Sequence, residues 1–365
     1  MNSKQIVLLP NDKQKKTMLE WLETFRLMYN ETVKMIRILK KEGNKKFINW
    51  QYIRTHKMKE IKQNYVNKYK IPVHILDKAI KLVCSNWKSA LTNLKNGYIR
   101  HFTIRYIKQS KPKKIFQLEK GMFSKNGFCV TVLGDIMKNN ENFDYKTIKH
   151  DCTVCYDVYK DRFLLHIPYY VEKKIVDNKK SVVGIDPGLK TFLTCVSDER
   201  IIKIGNNVID QFRPQFERID YLNKFNNKRS KRLVRIIYTR MKNQIIDLHW
   251  KSINYLVAKK NIGGIIVGNW STHDTSSKKK FLAPMLKRIS GMLSMYKFRE
   301  RLKFKCDEYN IPYVLADESY TSKTCSKCAS VNDTIKKRTL RCSNCNFCLD
   351  RDFNGALNIL FKYAK

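Results

Sequence analysis

Five of the eleven cysteines crowd into one stretch, at Cys325, Cys328, Cys342, Cys345 and Cys348. The first four form two C-x2-C knuckles separated by thirteen residues. Two such knuckles can set four thiolates in a tetrahedron around one Zn²⁺, and a site closed by four protein ligands leaves no position for water, so it is structural. The competing reading, four unpaired thiols in a turn-rich segment, fits this spacing poorly. Knuckles of this kind turn left-handed after their second cysteine, where glycine is at ease; Ala329 and Asn346 take those places, and Asn tolerates that backbone better than Ala. Cys348 is a spare with worse spacing. Cys152 and Cys155 also stand three apart, but without a partner pair, and the alternation around them reads as a β-strand. Cys84, Cys129, Cys195 and Cys306 sit in apolar patterns as core residues. The odd number of cysteines and the short apolar run before Pro10 argue against an exported disulfide framework.

Two carboxylates stand where chemistry is plausible. Asp186 closes the apolar run VVGID, and a carboxylate there is costly unless paired or metal-bound. Its bland reading is a turn-initiating Asp before Pro-Gly. Asp352, in DRDFNGALNIL, opens a short helix, where it also suits the helix dipole, so its bland reading is a cap; Asp350 is a weaker choice.

The elements around these residues form an ordered series. KQIVLL (4–9) reads as a strand ended by Pro10, with Asp12 placed to cap a helix from Lys13. Helical periodicity follows to about residue 100, in Met18, Leu19, Leu22, Phe25 and Met28 and again over 71–94. Between 98 and 175, short alternating runs (YIRHFTIRYI, KIFQL, FCVTVL, CTVCYDVY, RFLLHIPYYV) suggest a small antiparallel barrel, and 173–181 a polar linker. Then come strands at 182–186, 192–197 and 201–205, a long helix over about 209–258, a strand at 263–268, a helix over about 284–309, a strand at 312–317 and a final helix over 353–363. That succession is the order of an RNase H-like fold, which cuts phosphodiesters with two divalent metals, about 3.5–4 Å from one another, held by a few carboxylates. Mg²⁺ suits such oxygen-rich sites.

The chain of 365 residues carries 73 Lys and Arg against 32 Asp and Glu, a formal charge of +41. Such a field attracts polyanions. No apolar stretch is long enough to span a bilayer, and the basic residues are not confined to one amphipathic face, which favours nucleic acid over membrane. Part of the Lys excess reads as codon bias. Within 222–246, Lys224, Lys228, Arg229, Lys231, Arg232, Arg235, Arg240 and Lys242 occur without an acid. On a helix they would contact phosphates without reading sequence, the alternative being a solvated face. KRSKR also passes for a weak nuclear localisation signal. SSKKKF (276–281) is a candidate lid near the active face.

VVGIDPGLKTFLTC, TSKTCSKC…RCSNC and DRDFNGALNIL resemble the RuvC-type nuclease and zinc-finger core of TnpB proteins, transposon-encoded RNA-guided nucleases related to type V CRISPR effectors. Pro10, Gln14, Arg26, Tyr29 and Asn30 match the opening segment of that family, and DLHWKSINYLV (247–257) its long helix; 45–170 is matched only by texture. The resemblance implies a multidomain α+β chain: a first barrel strand (1–10), a helical recognition domain (11–97), a wedge-like β-barrel (98–175), an RNase H-like (RuvC) α/β nuclease domain (176–320), an inserted four-cysteine zinc finger (321–349) and the return of the nuclease domain (350–365). One departure matters. TnpB usually ends its fourth strand with Glu, but Gly268 stands there. Either the nuclease is inactive or another acid substitutes. Glu318, ending the fifth strand, is similar to the relocated glutamate of Fanzor proteins, and Asp317 is its rival, since neighbouring strand residues face opposite sides. The resemblance thus implies a triad of Asp186, Glu318 and Asp352 holding Mg²⁺, with Zn²⁺ on Cys325, Cys328, Cys342 and Cys345. It further implies a guide RNA from the element's own end, a double-stranded DNA target beside a short adjacent motif, and a monomer with its RNA. The setting would be intracellular: nuclear in a eukaryotic or viral context, nucleoid in a prokaryote. Two other readings stay open: an inactive nucleic-acid-binding regulator on the same scaffold, and a transposase that itself joins strands.

Overall fold

The computed structural model describes residues 2–171, 181–257, 262–270, 283–332 and 338–363. The linker 173–181 and the SSKKKF segment lie, apart from Ser181, outside the described residues. The chain divides into two units, 1–171 and 172–365. Among the described residues, no helix is long and apolar enough to cross a membrane.

In the first unit β1 (Asn2–Leu9) leads into α1 (Asp12–Lys41). The helix is capped by Asn11 rather than Asp12: Gln14 N–H donates to Asn11 Oδ1 and Asn11 N–H to Gln14 Oε1, a reciprocal capping box. Met18, Leu22, Phe25 and Met28 are buried on one face, against α3 (Val73–Lys95), which follows α2 (Lys59–Tyr69). β2 (Lys113–Leu118), β3 (Lys138–Asn139), β4 (Cys152–Asp157) and β5 (Arg162–Tyr169) join β1 in an antiparallel sheet ordered β2-β4-β5-β1-β3. β1 therefore belongs to the later sheet, and Cys152 and Cys155 lie in a strand, both as expected. The end strands β2 and β3 are not neighbours in the sheet order, so the pairing is open where a barrel was expected.

Two expected strands are absent. Residues 101–108 have no regular structure, because side chains of α1 satisfy their backbone in place of a partner strand. Asn30 accepts from Ile107 N–H at 2.8 Å and donates to its carbonyl, Arg26 donates to the same carbonyl, and Arg37 donates to Ile104 O at 2.8 Å. In FCVTVL, Cys129 adopts a left-handed backbone (φ 51°) and Val130–Leu133 winds into a helical turn despite its β-branched residues.

The second unit is built on β6 (Ser181–Pro187), β7 (Thr191–Val196), β8 (Ile201–Asn206), β9 (Ile262–Gly268) and β10 (Tyr313–Ala316), ordered β8-β7-β6-β9-β10. β6, β7 and β8 run antiparallel; β9 and β10 run parallel to β6. The expected long helix is two, α4 (Val208–Asn223) and α5 (Lys228–Val257), because Asn226 turns left-handed (φ 45°) and Asn227 caps α5 through Ser230 N–H. The helix expected over 284–309 likewise breaks at Ser294 (φ 50°) into α6 (Pro284–Leu293) and α7 (Met295–Glu308). Strand side chains alternate faces. Val183, Ile185, Ile265 and Val267 enter the large core with α4–α7. Val182 and Ile266 pack instead with Ile359 and Leu360 of the last helix, α8 (Arg351–Tyr363).

His249 of α5 is fully buried, stacked on Phe192 and edge-on to Phe298. Burial first, then the Arg301 guanidinium, pulls its pKa down to about 4. The unfolded chain binds that proton below pH about 6.5, so this contribution to stability is complete above that pH and is lost as pH falls through about 4. Up to about 3 kcal/mol is at stake, at about 1.4 kcal/mol per pH unit. Thermal melts at pH 7 and pH 4.5 should show a smaller acid-induced loss for His249→Gln than for the parent chain.

Candidate catalytic and zinc centre

Three of the expected acids meet in one cleft of about 510 Å³, lined by Asp186, Glu318, Asp352, Arg338, Arg351 and Lys190 among others. Asp186 lies at the end of β6, on the face covered by α8. Glycines let that helix come close: a Cβ on Gly184 would stand 2.7 Å from Ala356 O, and one on Gly355 2.8 Å from Asp186 Oδ2. Asp352 shares the face of Gly355 and Ala356, three and four residues on, so the same close approach brings it towards Asp186. Asp350, the weaker candidate, is the helix cap: its Oδ1 accepts from Asp352 and Phe353 N–H, and Lys203 pairs with its other oxygen.

Glu318 reaches the cleft from beyond β10. Gly268 pairs with Ala316 in the parallel ladder, and a Cβ at 268 would collide with Glu318 Oε1. The missing side chain on β9 is therefore the space Glu318 occupies. Asp317 points elsewhere: its carboxylate accepts from Ser319 N–H and Oγ, lies 3.6 Å from Lys362, and is mostly exposed.

Burial, then Glu318, then Asp352 push the Asp186 pKa well above the usual carboxylate range, and Arg351 opposes them. Carboxylates gathered this way repel one another, only partly offset by Arg338 and Arg351, and a hard divalent cation would relieve that repulsion. The oxygen donors are of the kind Mg²⁺ takes, but the three carboxylates do not all lie within 4.8 Å of one another. Asp352 Oδ2 lies 2.8 Å from Arg338 Nη2. Sequence reasoning missed Arg338; it lies between the knuckles, with nothing in its neighbours to mark it.

The four cysteines converge. Among the described residues they are the one group of three or more potential ligands whose donor atoms all lie within 4.8 Å. Cys325 and Cys345 Sγ are 3.7 Å apart, Cys328 and Cys342 Sγ 3.6 Å. A tetrahedron with Zn–S of about 2.3 Å has edges of about 3.8 Å, so the cluster fits Zn²⁺. The Ser330 hydroxyl and the Cys345 amide pull the Cys342 thiol down, while, against the Phe347 backbone, burial and the neighbouring thiols push Cys345 up, so the four sulfurs share their protons unevenly. Cys348 lies outside the group, exposed, opposite Arg341 in the hairpin of β11 (Thr339–Arg341) and β12 (Cys348–Asp350). Ala329 (φ 59°) and Asn346 (φ 54°) are both left-handed, as expected. Ala329→Gly should stabilise the zinc segment by roughly 0.5–1 kcal/mol, the relieved left-handed strain less glycine's extra unfolded entropy. A slower loss of zinc to a chelator would measure it.

Asn354 and Asn358 of α8 donate to the carbonyls of Thr321 and Thr324, tying the zinc segment to the helix that carries Asp352. The basic residues Lys224, Lys228, Arg229, Lys231, Arg232, Arg235, Arg240 and Lys242 are all exposed, Lys224 in the break and the other seven on α5.

Comparison with known proteins decides the family. The family model described as Cas12f1-like, TNB domain, matches residues 296–359. TnpB-like protein L770 of Acanthamoeba polyphaga mimivirus is 32% identical over 384 residues, spanning 99% of this chain and 73% of the relative. The chain belongs to the TnpB family. The chain is also similar to the putative transposase A625R of Paramecium bursaria Chlorella virus 1, 28% identical across 100% of this chain and 87% of that one. Among solved structures, the Cas12f1–sgRNA–target DNA complex shares the fold at TM-score 0.52 and 16% identity, covering 94% of this chain and 82% of that one. The TnpB opening motif now has physical roles: Gln14 closes the capping box, Arg26 and Asn30 hold Ile107, and Tyr29 accepts from Asn86 at 3.2 Å.

Proposed function

We propose that this TnpB-family chain is an RNA-guided DNA endonuclease of a transposable element, with an RNase H-like nuclease domain whose acids are Asp186, Glu318 and Asp352. The observation that carries the reading is the fit of Glu318 into the space at Gly268, beside Asp186. Gly268 alone would argue for an inactive scaffold; with Glu318 in its place, the set of acids is complete.

The three carboxylates would hold Mg²⁺, which supplies activation of the attacking water and stabilisation of the leaving 3′ oxygen. Asp186 sits on a strand and Asp352 on a helix packed against it, so both are positioned by rigid elements. Arg338 pairs with Asp352 at the cleft and would be placed to meet a scissile phosphate. Zn²⁺ on the four cysteines would fix the segment bearing Arg338. The exposed basic residues of α5 suit a nucleic-acid backbone, and the solved Cas12f1 complex contains a guide RNA and target DNA. Base pairing would then choose the target, while the protein holds the heteroduplex by shape and charge.

The test is to purify the protein with its associated RNA, sequence that RNA, and supply a matched DNA library with Mg²⁺. Metal-dependent cuts at matched sites are expected. Absence of bound RNA together with absence of cutting overturns the proposal, and strand joining by the purified protein favours a transposase.

A further inference from the structure

A second cleft, of about 610 Å³, opens among α4–α7, the helices that pack on the sheet face opposite α8. Lys242, Arg288, Lys297 and Arg301 line it, and no carboxylate among the described residues forms its wall, though Asp220 stands behind Arg288. Asp220 pairs with Arg288 at 2.6 Å, and Arg288 lies over the Phe216 ring at 4.4 Å, so that guanidinium is held in place.

Arg301 is positioned from beneath by the fully buried His249. His249 Nε2 is 2.9 Å from Leu293 O and its Nδ1 is 2.8 Å from Arg301 Nη1. A carbonyl only accepts, so Nε2 carries the proton and Nδ1 accepts from the arginine: one neutral tautomer serves both bonds. The ring is clamped by Phe192 and Phe298, so the arginine is set by a rigid, buried support. A guanidinium has five N–H donors, and His249 is its one hydrogen-bonding partner among the described residues. Arg288, Arg301 and the two lysines suit phosphate oxygens, and Phe216, Tyr238 and Met292 offer an apolar wall for a sugar or base.

The cleft also continues a track. Lys231, Arg235, Tyr238 and Lys242 follow at steps of four, three and four along α5, hence on one face, and the three cations are exposed. A free phosphate would fill one point of such a track; a polymer would use its length. We infer that the cleft between α5 and the α6–α7 pair binds a backbone phosphate of a single-stranded nucleic acid lying along the basic face of α5. The inference rests on the nucleic-acid-binding part of the proposed function and is separate from the carboxylate site.

The full-length protein is titrated with labelled oligouridylate and with oligothymidylate over a range of salt. Lys242→Gln combined with Lys297→Gln should weaken binding on the order of tenfold and make the log–log salt slope shallower by about 1.4, at about 0.7 per phosphate contact on a single strand. Lys251→Gln combined with Lys303→Gln, exposed lysines outside the cleft, should leave the slope unchanged. A loss confined to oligouridylate identifies an RNA strand; an equal loss on both identifies a strand of either sugar. An unchanged slope in the cleft variant, an equal change in the control variant, or displacement of the oligonucleotide by inorganic phosphate at matched ionic strength overturns the inference alone. Failure of the parent protein to bind either oligonucleotide overturns the proposed function with it.

Discussion

Glu318→Gln is expected to lower metal-dependent DNA cleavage at least about 100-fold, since even an outer partner of a metal ligand is typically worth 10–100-fold. Asp317→Asn should stay within about twofold, as exposed substitutions usually do. The contrast follows from placement. Glu318 lies against Gly268 and raises the pKa of Asp186, whereas the Asp317 carboxylate is engaged by Ser319 and Lys362, outside the cleft. The amide introduced by Glu318→Gln would keep the shape of the side chain and remove its charge, so folding should survive. Gly268→Ala probes the same claim from the other strand: its new methyl would collide with the Glu318 carboxylate and should reduce cleavage without touching any acid. Gly268→Glu should do the same rather than improve on the parent. Normal cutting by Glu318→Gln would show that the acid has not moved to this strand.

Zinc removal carries the second large effect. Among the described residues, the buried apolar set of the zinc segment is Cys325, Leu340 and Cys342, and its hairpin has three residues per strand. A two-stranded hairpin with so small a core is marginal in water, while a structural zinc of this type binds with about 10–16 kcal/mol of apparent free energy. Cys342→Ser, or a strong chelator, should therefore melt the segment. The loss should spread to the cleft, because β12 runs directly into α8, Arg351 N–H donates to Arg338 O at 2.7 Å, and Asn354 and Asn358 anchor Thr321 and Thr324. Zinc content, thermal melting and cleavage should fall together and return when Zn²⁺ is restored. Full cleavage by zinc-free protein would show that the segment does not support the carboxylate site.

Where a signal lay in short-range pattern, the sequence sufficed. The continuous apolar runs in 182–186 and 263–268 report strands buried on both faces, and the cysteine spacing reports its own geometry, including the left-handed turns at Ala329 and Asn346. Where long-range contacts decide, it did not. YIRHFTIRYI alternates like a strand, yet Arg26, Asn30 and Arg37, some seventy residues earlier, satisfy its backbone. The breaks at Asn226 and Ser294 leave no Pro or Gly to mark them. Gly184 and Gly355 look like ordinary glycines until a strand and a helix are packed together. Gly268 read as a lost ligand in one dimension and reads as room for Glu318 in three. Arg338 had no local mark, because its role comes from standing 2.8 Å from Asp352.

The most direct measurement of the central claim is anomalous scattering from Mn²⁺ in crystals of the protein with its RNA. Metal peaks are expected among the carboxylates of Asp186, Glu318 and Asp352, with Asp352 released from Arg338, and they should vanish in Glu318→Gln. Peaks on Asp317 or Asp350, or a cleft that stays free of metal while the protein still cuts DNA, would contradict the account.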